Sequence, residues 1–325
     1  MKYSVLKILA VLAYWFGVDA LFYWLNRKAK RIITFHNILP DELFRNGIAN
    51  GVSNKLGDFE RIIDECGKCF MFSTDLFDAK TLTITFDDGY RNQYTTAFKA
   101  LQKRGIPAYL FVSGENLQTH NSRSEYGLLI DKLLHWVAEA PIELIPDGNR
   151  LRYWVVEIWP RFMADSENKG KKLFSELCAK YPYEKIVESL PDDYVHERLD
   201  IISDVELDEM RHAGWKIGWH TGSHYPLARL PGEALRRELD SPEEFRQVCL
   251  SYPYGNPVEV GDAAIKMAET MGYPCAVSNT NTAMSNTSRF FLPRMSLPVN
   301  KYRLHFRLSG LEYFIKHRKL LPVVR

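Results

Sequence analysis

Apolar, strand-like stretches that alternate with amphipathic stretches constrain the fold of this chain more than any other feature. The strand-like stretches are RIITFHNI (31–38), LTITF (82–86), PAYLFVSG (107–114), WKIGWHT (215–221), CLSYPYG (249–255) and YPCAVSN (273–279). Helical periodicity separates most of them. Strands that alternate with helices form parallel sheets with right-handed crossovers. At least six such units predict an α/β fold, a distorted (β/α) barrel of about seven strands.

The rest of the chain predicts three additions to this barrel. Residues 115–202 break the alternation, and their amphipathic patterns predict a mostly helical insertion on the main sheet. Residues 1–30 are apolar, and residues 299–325 have a helical pattern. The predicted organisation is an N-terminal apolar helix (1–30), a barrel (31–298) with an insertion at about 115–202, and a C-terminal helical tail (299–325).

The N-terminal stretch from Val5 to Leu25 has a length suited to a membrane, since a span needs about 20 residues. Lys7 and Asp19 interrupt it, and a charge inside hydrocarbon is costly. Two interpretations stay open: a signal anchor, or an amphipathic helix that lies on the membrane surface or on the domain. If the stretch spans a bacterial inner membrane, the basic cluster at 27–31 favours a position of the following residues on the cytoplasmic side.

Charge and cysteine content exclude several classes of protein. The net charge is +2 with no basic stripe, so we expect no nucleic-acid partner. Five scattered cysteines do not form the pattern of a disulfide framework, and they favour a reducing compartment. Cys66 and Cys69 form a lone CGKC motif without a redox βαβ context, which indicates two cysteines at a helix end. The sequence does not indicate an oligomeric state.

Two adjacent carboxylates, Asp87 and Asp88, end the strand-like LTITF stretch. His220 and His224 follow the end of a later strand in WHTGSHYPL. Alone, each pattern is common in turns and surface loops. In a β/α barrel, however, strand ends meet at one rim, where two imidazoles and one carboxylate form a metal site open to water and substrate. The other aspartate then stays ionised and accepts a proton.

Three motifs, TFDDG, GWHTGSHYPLARL and YPYG, resemble the signature blocks of the polysaccharide deacetylase family, the NodB-homology domain. The resemblance covers roughly residues 31–115 and 203–298. It implies a distorted β/α barrel that removes acetyl groups from N-acetylated sugars with the help of a divalent metal, and zinc is the expected ion.

The resemblance also implies roles for individual residues. Asp87 matches the catalytic base, and Tyr254 matches the residue whose backbone N–H helps to hold the oxyanion. Pro253 and Gly255 flank Tyr254 in the YPYG motif. The metal ligands are matched by Asp88, His220 and His224.

The sequence departs from the family pattern in three places, one of which is the absence of the late Asp-Trp block. Ser251 occupies the position where many members have an arginine that orients the base, and we expect Arg294 in LPRMSLP to take over that role. The late leucine–histidine block that supplies the general acid is missing, and His305 and His317 are assigned to a surface helix. His36 is the candidate acid, because permuted family members have a similar strand histidine; a core or loop histidine is the alternative.

These assignments predict a metal-dependent polysaccharide N-deacetylase whose partner is an acetylated glycan, either a polysaccharide or a lipid-linked precursor. An O-acetyl esterase on the same site is the first alternative, since the predicted ligands do not distinguish an ester from an amide. A carbohydrate-binding protein without turnover is the second. The presence of Asp87 and of all three ligands disfavours that second alternative.

Overall fold

The computed structural model describes residues 3–44, 53–114, 200–280 and 288–323. Most of the predicted insertion (115–202), with its helical segments and Cys178, lies outside these ranges. The described strands are β1 (Arg31–Phe35), β2 (Asn37–Leu39), β3 (Ser53–Lys55), β4 (Met71–Phe72), β5 (Thr81–Asp88), β6 (Tyr109–Val112), β7 (Lys216–Trp219), β8 (Leu250–Ser251) and β9 (Ala276–Val277). The domain boundaries at 30/31 and 298/299 stay predictions.

The main sheet is parallel and curls into a barrel. Its strands follow the order β1–β5–β6–β7–β8–β9, with β4 also paired to β5, and β2 pairs with β3 in a separate small sheet. The segment after β9 completes the ring, since Leu292 pairs with Val277 of β9 and Met295 pairs with Ile33 of β1. The backbone N–H of Met295 donates to the Ile32 carbonyl at 2.9 Å. The predicted distorted barrel of about seven strands is confirmed.

Alternation along each strand divides the core into two layers. Ile84 and Phe86 of β5 belong to the large cluster that packs under the surrounding helices. The opposite face of the strands lines the barrel interior, where Tyr109, Phe111 and Val277 meet. Because successive side chains point to opposite faces, each strand contributes to both layers, as expected for a buried parallel sheet.

The helices surround this barrel. They are α1 (Tyr3–Trp15), α2 (Val18–Leu25), α3 (Leu56–Gly67), α4 (Lys99–Gln102), α5 (Asp204–His212), α6 (Gly232–Leu239), α7 (Glu243–Arg246), α8 (Pro257–Thr270), α9 (Lys301–Leu308) and α10 (Leu311–His317). A π-helical turn (Gln93–Phe98) precedes α4, and a short 3₁₀ turn (Leu227–Arg229) precedes α6. Residues 232–246 form two separate helices, because Asp240 is extended and Pro242 cannot continue a helix.

The predicted N-terminal apolar helix is present as two helices. Gly17 adopts a left-handed conformation with φ +70° after α1, which turns the chain so that α1 and α2 make an angle of 84°. Within the described residues, no single helix has the length and apolar character to cross a membrane, although the bent pair meets both criteria together. Leu6, Ala10 and Phe22 pack against the C-terminal helices α9 and α10.

His305 corrects one prediction, because it is buried and does not lie on a surface helix. Its Nδ1 lies 3.0 Å from the Tyr23 hydroxyl oxygen of α2, and its Nε2 lies 3.1 Å from Glu65 Oε2 of α3. This side chain therefore connects the N-terminal helices to the barrel. The sequence pattern did not show this role because both partners come from distant segments.

Candidate active site and metal centre

Both carboxylates of the acidic pair reach the barrel mouth, although strand alternation alone would separate them. Asp87 shares the interior face of β5 with Thr85, and its register partner on β6 is Phe111. Asp88 ends the strand with φ +93°, a conformation that is uncommon without glycine, and Gly89 follows with φ +82°. The left-handed turn therefore redirects Asp88, and both aspartates are buried side by side.

The side chain of Gln93 holds this turn in place through hydrogen bonds. It is fully buried, its Oε1 accepts from the Gly89 backbone N–H at 3.1 Å, and its Nε2 donates to the carbonyls of Asp87 and His36. The residue lies in the π-helical turn (Gln93–Phe98), a feature that is frequent at functional sites. A buried polar residue six positions after Asp87 thus joins the loops that follow β1 and β5.

The two histidines meet because the loop between them turns back. His220 follows β7 directly, and the imidazole centroids of His220 and His224 are 4.9 Å apart. Thr221 (φ +67°) and His224 (φ +53°) are both left-handed, and the Thr221 hydroxyl accepts from the His224 backbone N–H at 3.2 Å. The predicted loop reversal is therefore present in the structure.

Glu238 on α6 holds the outer side of this loop. Its carboxylate accepts from the Ser223 backbone N–H at 2.8 Å and from the Ser223 hydroxyl. Its backbone carbonyl accepts from the Gly222 N–H at 2.9 Å and from the Trp219 indole N–H at 3.2 Å. Glu238 thus holds the loop between His220 and His224 in place through hydrogen bonds. The sequence did not predict this role.

Asp88, His220 and His224 could together hold a divalent cation. One ligand atom from each lies within 4.8 Å of the others, and all three residues are buried. The Ser251 carbonyl can only accept, so its 2.8 Å contact with His220 Nδ1 places the proton on Nδ1 and leaves the Nε2 lone pair facing Asp88 Oδ1 at 3.6 Å.

The charge state of His220 decides between an ion pair and a metal site. Burial lowers the pKa of His220 to about 4, although Asp87 and Asp88 act in the opposite direction. The imidazole is then neutral at pH 7, and two electron-pair donors, Nε2 and a carboxylate oxygen, face each other. A cation between them satisfies both, and carboxylate with imidazole is a donor combination that suits zinc.

Arg294 meets Asp87 in a bidentate ion pair inside the barrel. Its Nη1 lies 2.8 Å from Asp87 Oδ1, and its Nη2 lies 2.6 Å from Oδ2. Burial alone raises the pKa of the Asp87 carboxyl, but the Arg294 guanidinium outweighs it and holds that pKa well below its usual range. Asp87 is therefore ionised and fixed in orientation.

Three further residues form hydrogen bonds to the Asp87–Arg294 ion pair: Ser251, Thr85 and Ser278. The Ser251 hydroxyl donates to Asp87 Oδ1 at 3.1 Å and accepts from Arg294 Nη2 at 2.9 Å. The Arg294 guanidinium also donates to the Thr85 hydroxyl and to the Ser278 carbonyl. The roles of Thr85 and Ser251 were missed, although alternation places Thr85 on the face of Asp87.

His36 follows β1 and stands at the rim beside Asp87. Its Nε2 lies 3.9 Å from Asp87 Oδ2, and its side chain is 18% exposed while that of Asp87 is 2% exposed. The imidazole therefore reaches both the ionised carboxylate and the solvent. This position suits proton transfer more than packing in a closed core.

The YPYG turn brings Tyr254 to the metal ligands. Tyr254 (φ +59°) and Gly255 (φ +72°) are left-handed, and the Tyr254 ring centroid is 4.9 Å from that of His224. A Cβ on Gly255 would lie 2.1 Å from the Asn279 backbone nitrogen, so the turn requires glycine there. Pro253 is buried at the start of the turn.

Backbone strain is concentrated at this mouth. Five described residues other than glycine have a positive φ, and four of them belong to the site. Such conformations cost about 1–3 kcal/mol each and persist where the surroundings enforce them, often at functional sites. The four are Asp88, Thr221, His224 and Tyr254.

Comparison with known proteins agrees with this geometry. A family model described as polysaccharide deacetylase matches residues 75–149, which include the acidic pair. IcaB from Ammonifex degensii is 15% identical, with a TM-score of 0.50 over 87% of this chain and 97% of that one. The deacetylase PplD from Streptococcus pyogenes in complex with acetate is 14% identical, with a TM-score of 0.49 over 83% and 93%. No curated protein matches significantly.

The family model and the fold support the predicted class of protein. The predicted resemblance to the polysaccharide deacetylase family is confirmed by the match at residues 75–149. The likeness to IcaB confirms the distorted barrel. The family match supports a hydrolase that acts on acetylated polysaccharide.

Proposed function

We propose that this chain is a metal-dependent hydrolase that removes acetyl groups from the N-acetylated sugars of a polysaccharide or lipid-linked glycan. The pairing of Asp87 with Arg294 beside Asp88, His220 and His224 carries the proposal. It places an ionised carboxylate, fixed in orientation, next to a set of cation ligands. Metal-assisted hydrolysis of an amide uses both features, because the carboxylate accepts a proton from the water that the cation activates.

Each group of the site has a part in the reaction. A divalent cation, expected to be Zn²⁺, supplies Lewis acidity when bound by Asp88, His220 and His224. Asp87 accepts the proton of the attacking water, and Arg294 and Ser251 hold its carboxylate in place. The Tyr254 backbone N–H stabilises the negative charge that develops on the acetyl oxygen. His36 Nε2 donates a proton to the leaving sugar amine.

The substitution Asp87→Asn tests the proposed base. It keeps the size of the side chain but removes the proton acceptor, so we expect acetate release to fall by roughly 10²–10⁴-fold. The content of bound metal, measured on the same preparation, stays equal to wild type. Asp262→Asn on the exposed side of α8 is the matched control and keeps full activity. Normal metal content with a full rate in Asp87→Asn would remove Asp87 as the base.

The same assay identifies the bond that is cleaved. N-acetylated and O-acetylated oligosaccharides of matched length are compared in the presence of zinc and after chelation. We expect zinc-dependent acetate release from the N-acetylated series. Faster release from the O-acetylated series would make the chain an esterase, and metal binding without any release would leave a carbohydrate-binding protein.

A further inference from the structure

Helix α1 is apolar on two opposite faces. Its inner face, formed by Leu6, Ala10 and Ala13, packs against α9 and α10. Its outer face is exposed and consists of four large apolar side chains, Val5, Ile8, Leu12 and Trp15. Helices with large apolar side chains on both faces are typical of a protein core or a membrane, and α9 and α10 cover just one face of α1.

Helix α2 extends the exposed surface across the bend. Phe16 and Trp15 beside Gly17 are 78% and 71% exposed, and Val18, Leu21 and Trp24 continue the outer side of α2. The inner side of α2 carries Phe22, whose ring centroid is 5.1 Å from that of Phe314 in α10. Eight large apolar side chains therefore form one contiguous surface, far more than the scattered exposed residues of ordinary surfaces. We call it the outer apolar face.

Charge is strongly biased around the outer apolar face. The whole chain is nearly balanced, with 42 basic and 40 acidic residues. Segments 3–31 and 300–323, which build this part of the molecule, have eleven lysine and arginine residues but just two acidic ones, Asp19 and Glu312. Both acidic residues are buried. The exposed charge of these segments is therefore positive.

Several cations lie directly at the edge of the outer apolar face. The Arg27 guanidinium is 4.5 Å from the Trp24 ring centroid, and Lys301 Nζ is 5.5 Å from that of Tyr14, the neighbour of Trp15. The backbone N–H of Leu321 donates to Asn26 Oδ1 at 2.8 Å, which brings the exposed Arg318 and Lys319 near the end of α2. Tryptophan next to basic residues is typical of membrane interfaces.

We infer that the outer apolar face docks on the surface of an anionic phospholipid bilayer, with α1 and α2 lying in the plane of the interface. The apolar side chains enter the acyl boundary, and the basic residues contact the headgroups. Asp19 and Asn26 on the inner side are buried against α9 and its C-terminal end, where Asn26 donates to the Ser309 carbonyl at 2.9 Å. A membrane-spanning arrangement would pull these residues out of the folded domain.

Vesicle binding by the full chain tests the apolar part of the inference. The double substitution Trp15→Ser/Phe16→Ser is compared with Val205→Ser/Val258→Ser, a matched pair of exposed apolar residues on α5 and α8. Partitioning onto vesicles of phosphatidylcholine with phosphatidylglycerol should fall by at least about tenfold in the first variant. It should be unchanged in the second. Equal loss in both variants, or no binding by wild type, overturns the inference.

Charge-reversal variants test which lipid the outer apolar face prefers, and fluorescence quenching tests how deeply it inserts. Arg27→Glu/Lys28→Glu should abolish the preference for anionic over pure phosphatidylcholine vesicles, whereas Arg236→Glu/Arg237→Glu on α6 should leave it intact. Lipids brominated at different depths measure how deeply the tryptophans insert. We expect the strongest quenching of tryptophan emission by lipids whose bromine atoms lie near the headgroups. Strongest quenching by lipids brominated at the bilayer centre would indicate a span and overturn the in-plane arrangement. Acetate release from a soluble glycan stays normal in all four variants, so this result is independent of the proposed enzymatic function.

Discussion

At the scale of single residues, the site assigns different tasks to neighbouring groups through their environments. Asp87 is buried against Arg294 and keeps its charge, while His220 is buried as a neutral imidazole and keeps the lone pair on Nε2. His36 is the least buried of the three, with a side chain that is 18% exposed. In the proposed reaction the leaving amine needs a proton donor, and this exposure supports His36 in that role.

The substitution His36→Asn distinguishes a role of His36 as general acid from a structural role. An amide needs protonation of its amine as it leaves, whereas a 4-nitrophenyl ester releases a stable anion without help. We expect acetate release from an N-acetylated sugar to fall by roughly 10²-fold or more. Hydrolysis of 4-nitrophenyl acetate should change little, because Asp87 and the cation ligands are intact. An equal loss on both substrates would show that His36 supports the site without acting as the acid.

At the scale of elements, alternation predicted much of the site. Asp87, His220 and Ser251 lie at interior positions at the ends of β5, β7 and β8 of one parallel sheet, and the convergence of the first two was expected. The redirection of Asp88 was not predictable, because it depends on a left-handed backbone in a residue other than glycine. The contact of Glu238 with the histidine loop was missed because it joins positions with no common periodicity.

Removal of the Glu238 carboxylate should therefore weaken the cation site without touching a ligand. In Glu238→Ala the loop between His220 and His224 loses two hydrogen bonds. We expect zinc affinity to fall by about 10–100-fold, the usual range for groups that orient ligands. Competition with a chromogenic chelator measures it. Glu233→Ala, on the exposed first turn of the same helix, is the control, and similar affinities in the two variants would contradict the role of Glu238.

At the scale of the whole molecule, the two ends of the chain form one unit with the barrel. Arg31, the first residue of β1, donates from Nη1 to the Asn26 carbonyl at 2.6 Å and from Nε to the Leu308 carbonyl of α9. His36 lies beyond the other end of the same strand. The start of β1, where Arg31 contacts the residue after α2, and His36 at the mouth are thus separated by the length of β1, roughly 16 Å.

Asp19 makes the attachment of the N-terminal helices sensitive to pH. It is 4% exposed, and its Oδ1 lies 3.5 Å from the Ser309 hydroxyl. Burial raises the pKa of Asp19 to about 6 from 3.8, against the smaller effect of that hydroxyl. Because the folded state holds the proton more tightly than the unfolded chain, the favourable contribution of the carboxyl is complete below about pH 4 and is lost as the pH rises through 6.

The substitution Asp19→Asn should therefore stabilise the protein in a pH-dependent way. It removes the cost of a buried charge, on the order of 2 kcal/mol at pH 8, which raises Tm by a few degrees for a chain of this size. At pH 4.5 Asp19 is largely protonated in the folded wild type, so the gain should be much smaller than at pH 8. Thermal unfolding of both proteins at the two pH values, in lipid-free buffer, measures the difference. The control Asp262→Asn on α8 should give the same change in Tm at both pH values. An equal gain in Tm at both pH values in Asp19→Asn would mean that ionisation of Asp19 does not control the packing of α2.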